Sequence, residues 1–294
     1  MGSPPRYLFP AGAQFSRDNL VLHAHGRRHK IQGFAGPLSI KTVIDGIVTW
    51  RTGGRDLAVD QASFLVLNDG EEYSMHVNET HPIETACAFF RSGFVEADAQ
   101  DATTPLEKSL DDPARTAPRL PFLSRIHTDA GGRILRRVQT LAQRCERALQ
   151  PSSFEEDFLV LSEELLLLYA EVQAQMARLP GVKRSTREEV FRRLQRGREY
   201  LHTNLEEPVS LESTARIACL SQYHFHRAFT QAFAKTPHAY LTEVRLARAH
   251  ALLRSGMPVV RACTEVGFTS ASSFSRLFRD AYGIPPSAVR NARM

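Results

Sequence analysis

The sequence predicts an α+β protein of two domains: a small β-barrel or sandwich with two following helices, then an all-helical domain. Three observations predict this fold class. Short segments of strand character separated by Gly, Asn and Asp turns fill about the first 95 residues. Helical hydrophobic spacing follows them, and the last third contains one unit that occurs twice. A chain of 294 residues is long enough for about two such domains.

Composition excludes several classes of protein. Hydrophobic residues make up 43% and charged residues 23%, as in globular proteins. The four cysteines lie far apart without a C-x-x-C pair, which indicates neither a disulfide framework nor a zinc cluster. No apolar run reaches the roughly 18 residues of a membrane span, and the N-terminus lacks the apolar region of a signal peptide. We therefore expect a cytoplasmic protein without a membrane partner.

Charge is divided unevenly along the chain. Residues 183–294 carry 18 Lys and Arg against 9 Asp and Glu, whereas residues 1–182 carry 19 against 23. A basic segment joined to a mildly acidic one indicates a polyanion-binding domain attached to a second module. Charge alone is equally compatible with a surface of solvated arginines that has no polyanion partner.

The first domain is expected to consist of short strands. Gly53-Gly54 and Asn68-Asp69-Gly70 are turn signals between segments of β-branched and aromatic residues. A polar connection, residues 97–125, ends this part of the chain. The expected strands are Leu38–Ile44, with Leu38, Ile40, Thr42 and Ile44 on one face, Ile47–Trp50, Phe64–Leu67, Tyr73–Val77 and Ile83–Phe90.

Two long helices should follow, the first spanning about Ala130–Leu149 and the second beginning near Ser153. In the second helix, apolar residues keep a heptad-like spacing for about three heptads, which suits either a dimer contact or packing against the barrel. We favour the dimer contact, because Leu159, Leu166 and Leu167 form a second apolar face. The predicted dimer residues are Phe158, Leu161, Leu165, Leu168 and Val172.

A duplicated unit organises the C-terminal domain. When residues 221–239 are moved forward by 49 positions onto residues 270–288, seven of nineteen residues are identical, against about one expected by chance. In each copy a short helix and a tight turn precede a serine N-cap, Ser221 or Ser270. Two phenylalanines at i and i+4 should bury one face of the next helix and leave the other exposed. This is the helix-turn-helix arrangement.

The outward positions of each second helix carry groups suited to reading base edges. A major groove about 12 Å wide admits a helix, and Arg pairs bidentately with guanine. Between the copies, Pro237 starts a helix of about 18 residues, or about 27 Å, with Tyr240, Val244, Ala247 and Ala251 as its predicted buried stripe. The predicted DNA-binding residues are Gln222, Tyr223, His226, Arg227, Thr230, Ser272, Ser273, Ser275 and Arg276.

The stretch from about 190 to 293, a third of the chain, resembles the DNA-binding domain of the AraC/XylS transcription regulators. Ala234 stands where that family usually has a turn glycine. The matching residues are Glu265-Val266-Gly267-Phe268, Ser270, Phe274-Ser275-Arg276, Phe278, Tyr282-Gly283 and Pro285-Pro286, with Ser221–Arg227, Phe229, Pro237 and Tyr240-Leu241 in the first copy.

The resemblance implies a sequence-specific regulator, an activator that binds double-stranded DNA as a homodimer and has RNA polymerase as a partner. It also implies that the first domain is a cupin-like barrel that binds a small-molecule effector or dimerises. The expected effector-binding residues are His23, His25, Trp50, Tyr73 and His76.

A metal site is weighed at His23 and His25, since H-x-H places two imidazoles on one strand face. A cupin site needs a further His, but Tyr73 stands at the matching position, so we expect no metal and no cofactor. No catalytic motif is present, and we expect no enzyme. Two alternatives remain: a regulator whose first domain only dimerises or binds a protein, and a cupin-type metal oxygenase fused to a DNA-binding domain.

Domain boundaries follow from these segments. Thr186 and Glu189 form a capping box that predicts the start of the first helix after the linker. The expected domains are residues 1–96 for the barrel, 97–178 for the connection and helical dimerisation segment, 179–186 for the linker and 187–294 for the double helix-turn-helix domain.

Overall fold

The computed structural model of the chain forms two compact units, Met1–Ala174 and Gln175–Met294, hereafter the N-terminal and C-terminal units. Within the described part of the chain, no helix has the length and apolar composition needed to cross a membrane. The structure describes residues 6–8, 12–103, 120–122, 125–129, 132–145, 154–181, 183–206 and 209–291.

The N-terminal unit is a nearly closed antiparallel β-barrel, which confirms the predicted fold class. The hydrogen-bonded order of its strands is β1-β2-β7-β3-β6-β8, and β4 pairs with both β5 and β7. The strands are β1 Arg6–Leu8, β2 Leu20–Ala35, β3 Ser39–Asp45, β4 Val48–Thr52, β5 Arg55–Val59, β6 Ser63–Leu67, β7 Glu72–Phe89 and β8 Ile126–Thr128.

Strand β7 was predicted as two strands, Tyr73–Val77 and Ile83–Phe90, and is one strand of 18 residues. It pairs with β2 along its length, with a register shift where the partner of Gly26 is Ile83 and that of Arg28 is Asn78. Pro82 lies in this interval and has no amide hydrogen to donate. The ladder therefore continues across a bulge instead of ending there.

At β3 and β6 the barrel sheet is buried on both faces. Inside, apolar side chains such as Val43, Trp50 and Leu57 pack together. Outside, Ile40 and Ala88 pack against the helices that follow the barrel. The expected one-sided alternation of β3 was therefore wrong, since every residue from Ser39 to Val43 is buried.

Ten helices lie in the described residues. Helix α1 begins just before residues 97–125, the predicted polar connection, and extends into it. The helices are α1 Phe94–Thr103, α2 Arg133–Cys145, α3 Glu155–Ala177, α4 Arg184–Thr203, α5 Leu211–Ile217, α6 Gln222–Phe233, α7 Pro237–Arg254, α8 Val259–Glu265, α9 Ala271–Tyr282 and α10 Pro286–Asn291.

Two predicted helix starts differ from the structure. Helix α2 begins at Arg133, where the Asp129 carboxylate accepts hydrogen bonds from the amides of Arg133 and Leu135 at 3.1 and 2.9 Å. The predicted end of the first helix at Leu149 and the predicted start of the second near Ser153 lie outside the described residues. The capping box at Thr186 was wrong, because α4 starts at Arg184 with Lys183 as its N-cap and no side-chain cap.

Helix α7 has a buried surface that changes along its length. Tyr240 and Val244 are buried as predicted, but Ala247 and Ala251 are only half-buried. The C-terminal half instead buries Leu246, Ala249 and Leu253. A single straight stripe was therefore the wrong expectation, because the helix supports a different cluster at each end.

Candidate nucleic-acid interface

The first helix-turn-helix motif consists of α5 and α6. Ser210 caps α5 by accepting a hydrogen bond from the Ser213 amide at 3.0 Å, and Ser221 caps α6 through the His224 amide at 3.3 Å. Between the helices, the chain turns through Cys219 at a φ of 53°. The predicted cap at Ser221 is confirmed, so the start of α6 is fixed by its own sequence.

The second motif, α8 and α9, repeats this construction. Ser270 caps α9 through the Ser273 amide at 3.3 Å, as predicted. The turn between its helices contains Gly267 at a φ of 79°, a conformation that glycine adopts without a Cβ penalty. Helix α8 itself begins after Pro258 without a side-chain cap.

The phenylalanine pairs orient both second helices. Phe225 and Phe229 in α6, and Phe274 and Phe278 in α9, are fully buried. Ring centroids within each pair lie 5.4 and 5.6 Å apart. Gly197 in α4 leaves room for the Phe225 ring, since a Cβ there would lie 2.5 Å from the ring edge. The opposite faces of α6 and α9 therefore point to solvent.

Most of the predicted DNA-binding residues lie on these exposed faces. Tyr223 is 69% exposed. Thr230 is half-buried, and its hydroxyl donates to the His226 carbonyl at 2.8 Å; Ser275 is also half-buried. The other exposed members of the predicted set are Gln222, His226, Arg227, Ser272, Ser273 and Arg276.

Sequence reasoning missed two exposed groups on these helices. His224 lies beside Tyr223 with its ring centroid 5.9 Å away. Arg279 lies one turn after Arg276 in α9 and is exposed. The repeat itself carried the signal for Arg279, because the shift of 49 residues places it on Thr230, which was in the predicted set.

The helix ends and the exposed arginines suit a polyanion. Neither α6 nor α9 has an acidic residue in its first turn, so the partial positive charge of each N-terminus is not compensated there. The exposed guanidinium groups of Arg227, Arg276 and Arg279 add full charges on the same helices. Together these groups can hold phosphates and reach base edges.

A family model described as a helix-turn-helix domain matches residues 214–292, which include α6 to α9. Over 94 residues the chain is 31% identical to the HTH-type transcriptional regulator ArgR of Pseudomonas aeruginosa, covering 32% of this chain and 29% of that protein. Over 250 residues it is 26% identical to the virulence regulon transcriptional activator VirF of Yersinia enterocolitica, covering 84% of this chain and 87% of VirF. Residues 214–292 are therefore similar to a helix-turn-helix domain, and the two relatives are named as transcription regulators.

A solved structure gives a further comparison. The chain is 30% identical to a transcriptional regulator from Chromobacterium violaceum with an AraC-type DNA-binding domain. The match covers 34% of this chain and 91% of that one, with a TM-score of 0.33. The chain spans less than a third of the length of the first curated relatives, 29% of ArgR and 26% of GbdR.

The predicted effector residues of the N-terminal unit do not form one site. His23 and His25 lie on one face of β2, and the Nε2 atom of His23 is 2.8 Å from the Glu84 Oε1 atom. With Arg6 and Leu8 they line a cavity of about 230 Å³ on the outer side of the sheet. Among the described residues, no three His, Cys, Asp or Glu side chains converge closely enough to hold a metal ion.

The other predicted effector residues are elsewhere. Trp50 and Tyr73 are 1% and 4% exposed inside the barrel, and His76 faces solvent. Sequence reasoning missed Lys41, which is buried in the same interior and donates from Nζ to the Tyr73 hydroxyl at 3.2 Å. Burial lowers the pKa of Lys41 to about 8 and raises the pKa of Tyr73. Nζ also lies 3.6 Å from the centroid of the Phe89 ring.

The predicted dimer seam is part of the core of the chain itself. Phe158, Leu161 and Leu165 are fully buried among residues of the barrel and α2, Leu168 packs on them half-buried, and Val172 is 5% exposed. Their assignment to a dimer contact was wrong, because intrachain packing already covers them. Two leucines of the other apolar face remain exposed, Leu159 at 44% and Leu167 at 60%.

Proposed function

We propose that the protein is a sequence-specific DNA-binding transcription regulator that places α6 and α9 in successive major grooves of duplex DNA. The observation that carries the proposal is the pair of capped helices, each with a buried phenylalanine pair and an exposed arginine-bearing face. Along the chain, α6 precedes and α9 follows the 18-residue helix α7. A rod of about 27 Å suits two reading helices roughly one DNA turn, about 34 Å, apart.

Phosphate contacts come from the helix N-termini and Arg279, and base contacts come from the exposed faces of α6 and α9, which include Arg227 and Arg276. Because cations on the protein displace counterions from DNA, affinity should fall steeply as salt concentration rises. A flat salt response would contradict binding through the phosphates.

The relatives support the finer features. VirF is named a transcriptional activator, and its match extends over 87% of its length. We infer that this protein also activates transcription, with RNA polymerase as its partner in the cytoplasm. The activator role and the RNA polymerase partner are inferred from similarity to these relatives. A reporter assay tests the activator role, since deletion of the gene should lower target expression.

A homodimer is proposed through the exposed leucines of α3 instead of the buried seam. Leu159 and Leu167 are large apolar side chains left in solvent, and a second copy that covers them removes that apolar surface from water. Sedimentation of the full chain tests this. Leu167→Glu should give a monomer, whereas a dimer that persists in Leu159→Glu/Leu167→Glu contradicts the contact.

Effector control is proposed through the outer cavity lined by Arg6, His23, His25 and Glu84. Its mixture of guanidinium, imidazole and carboxylate groups suits a small polar molecule with hydrogen-bonding groups. A compound library screened by thermal melting tests the site: an effector should raise the Tm of the wild type but not of His25→Ala. Equal stabilisation of both proteins places the effector elsewhere.

The decisive experiment is selection of binding sites from a random duplex library by the full-length protein. Two enriched sequence blocks about one helical turn apart are expected from two reading helices. If nothing is enriched by the full chain or by residues 183–294 alone, the DNA-binding function is contradicted.

A further inference from the structure

The two helix-turn-helix motifs are joined by more than helix α7. The loop after α4, the middle of α7 and the turn of the second motif meet around one side chain, Arg245. Its Nε atom donates a hydrogen bond to the Leu205 carbonyl oxygen at 2.9 Å, and its guanidinium carbon lies 5.9 Å from the centroid of the Phe268 ring. One arginine therefore contacts segments on both sides of the junction.

Gly267 shows how closely these segments approach. A Cβ atom at this position would lie 2.4 Å from the Leu205 carbonyl oxygen and 2.8 Å from Arg245 Nη2. The turn of the second motif therefore presses against the same carbonyl that Arg245 holds. Any larger residue would have to move the loop, the arginine or the whole motif.

A second arginine fastens the same loop to the same helix. Arg248, one turn further along α7, is 5% exposed and donates from Nη2 to Glu206 Oε1 at 3.0 Å. Leu205 itself is 1% exposed. The buried Leu205 side chain and the two arginines, Arg245 and Arg248, thus hold the loop against α7. The loop is therefore a firm point of attachment for the second motif.

The geometry of α7 shows why this attachment matters. The first motif packs on its beginning, where the Tyr240 ring contacts Phe229 at 5.8 Å between centroids. The second motif packs on a different face, through Leu246, Ala249 and Leu253. If α7 were the sole connection between the motifs, twisting of α7 between its two packed ends would change the angle between α6 and α9. The contact through Arg245 gives a second connection that resists this rotation.

We propose that Arg245 is a positioning residue that fixes the rotational register of α6 relative to α9, and thereby determines which separation of two base blocks the protein accepts. The inference rests on the proposed function, since it concerns how the two helices share one DNA site. Arg245 touches no DNA in this proposal and acts through the Leu205–Gly267 contact.

The test measures spacing selectivity of the full chain. The probes are duplexes with the two blocks selected by the wild type, and the same duplexes with one base pair inserted or removed between them. Each base pair rotates one block by about 35° around the DNA axis. Wild-type affinity should fall by about tenfold or more on the altered duplexes, as for loss of one base contact. Arg245→Met should reduce this discrimination to about threefold or less, because the second motif can then rotate to follow its block.

Matched variants separate positioning from folding. Arg254→Met removes an exposed arginine at the end of the same helix and should keep wild-type discrimination. Arg245→Lys keeps a cation and a donor and should be intermediate. Affinity for duplexes with only one intact block should stay close to wild type in all three, since each motif keeps its own core. If Arg245→Met does not fold by circular dichroism, Arg245→Lys and Gly267→Ala carry the test.

The outcomes distinguish the two levels of the proposal. Unchanged discrimination in folded Arg245→Met, or in both substitute variants, overturns the role of Arg245 and leaves the DNA-binding function intact. Loss of affinity by the same factor on every duplex also overturns it, because it marks a phosphate contact. Absence of any block preference in the wild type contradicts the proposed function itself.

Discussion

The exposed face of α6 carries a tyrosine, two histidines and an arginine, whereas the matching face of α9 carries serines and two arginines. Inside, the two motifs keep the same serine cap and the same phenylalanine pair. The two copies therefore share the cap and core residues that form the motif and differ in their exposed residues. Under the proposed function, each helix is then expected to read a different short sequence, so the two base blocks should not be repeats of each other.

The largest effect is expected from substitutions in the buried phenylalanine pair that each motif contains. Phe225→Ala and Phe274→Ala should each lower the free energy of unfolding by about 3–5 kcal/mol, because they remove a fully buried ring and leave a cavity. Urea unfolding measures the cost, and binding to duplexes with one intact block shows which motif is lost. A much smaller cost in one motif would show that its interior is not equivalent to the other.

Removing the exposed arginines should separate the two readers. Arg227→Ala and Arg276→Ala should each weaken binding by about 1–3 kcal/mol and relax specificity at one base position in a different block. Site selection with each variant locates that position. Arg51→Ala, an exposed arginine of the N-terminal unit, should change neither. Equal weakening on all sequences would reassign the arginine to a phosphate.

The ends of the two helices offer a reciprocal pair of changes. Ala234, after α6, has a φ of 55°, and Gly283, after α9, has a φ of 72°. A left-handed conformation costs a non-glycine residue about 1 kcal/mol. Ala234→Gly should stabilise the protein, and Gly283→Ala should destabilise it, by about that amount each. Urea unfolding of both variants checks the signs, and two changes in the same direction would contradict this explanation.

The smallest effect concerns pH and the second motif alone. The ring of His250 stacks on Tyr282 at 4.6 Å between centroids, and burial, with a smaller contribution from Arg254, lowers the pKa of His250 below 6.5. The unfolded chain then binds more protons between the two pKa values, so stability should decrease as pH falls below about 6.5. His250→Gln should weaken this trend in melting measured at about pH 7.5 and about pH 5.5. An unchanged slope would exclude His250 as its source.

The two units also differ in how far their sequences could be interpreted. In the C-terminal unit the caps at Ser221 and Ser270 and the phenylalanine pairs act within a few residues, so a single sequence contains the signal. Helix α7 was the exception, because its buried face depends on two clusters that form only in the tertiary structure. Arg245 and Gly267 could not be assigned a joint role from sequence for the same reason.

In the N-terminal unit the strand pattern was harder to interpret. A sheet covered on both faces buries consecutive residues, so the alternation of Ile40 and Thr42 did not identify the inner face. Lys41 consequently went unnoticed in the barrel interior. The heptad-like spacing of α3 identified an apolar face correctly, but spacing does not reveal whether barrel or partner covers that face.

The pairing of strand β7 has a consequence for how the barrel folds during synthesis. It pairs with β2, β3 and β4, and Leu20 near the start of the barrel finds its partner only in Phe89. Such distant pairings form slowly, because a long loop must close first. During synthesis, the edges of β2 and β3 that pair with β7 stay unpaired until β7 leaves the ribosome. Unpaired strand edges favour aggregation. The barrel, more than the helical unit, should therefore limit the yield of soluble protein.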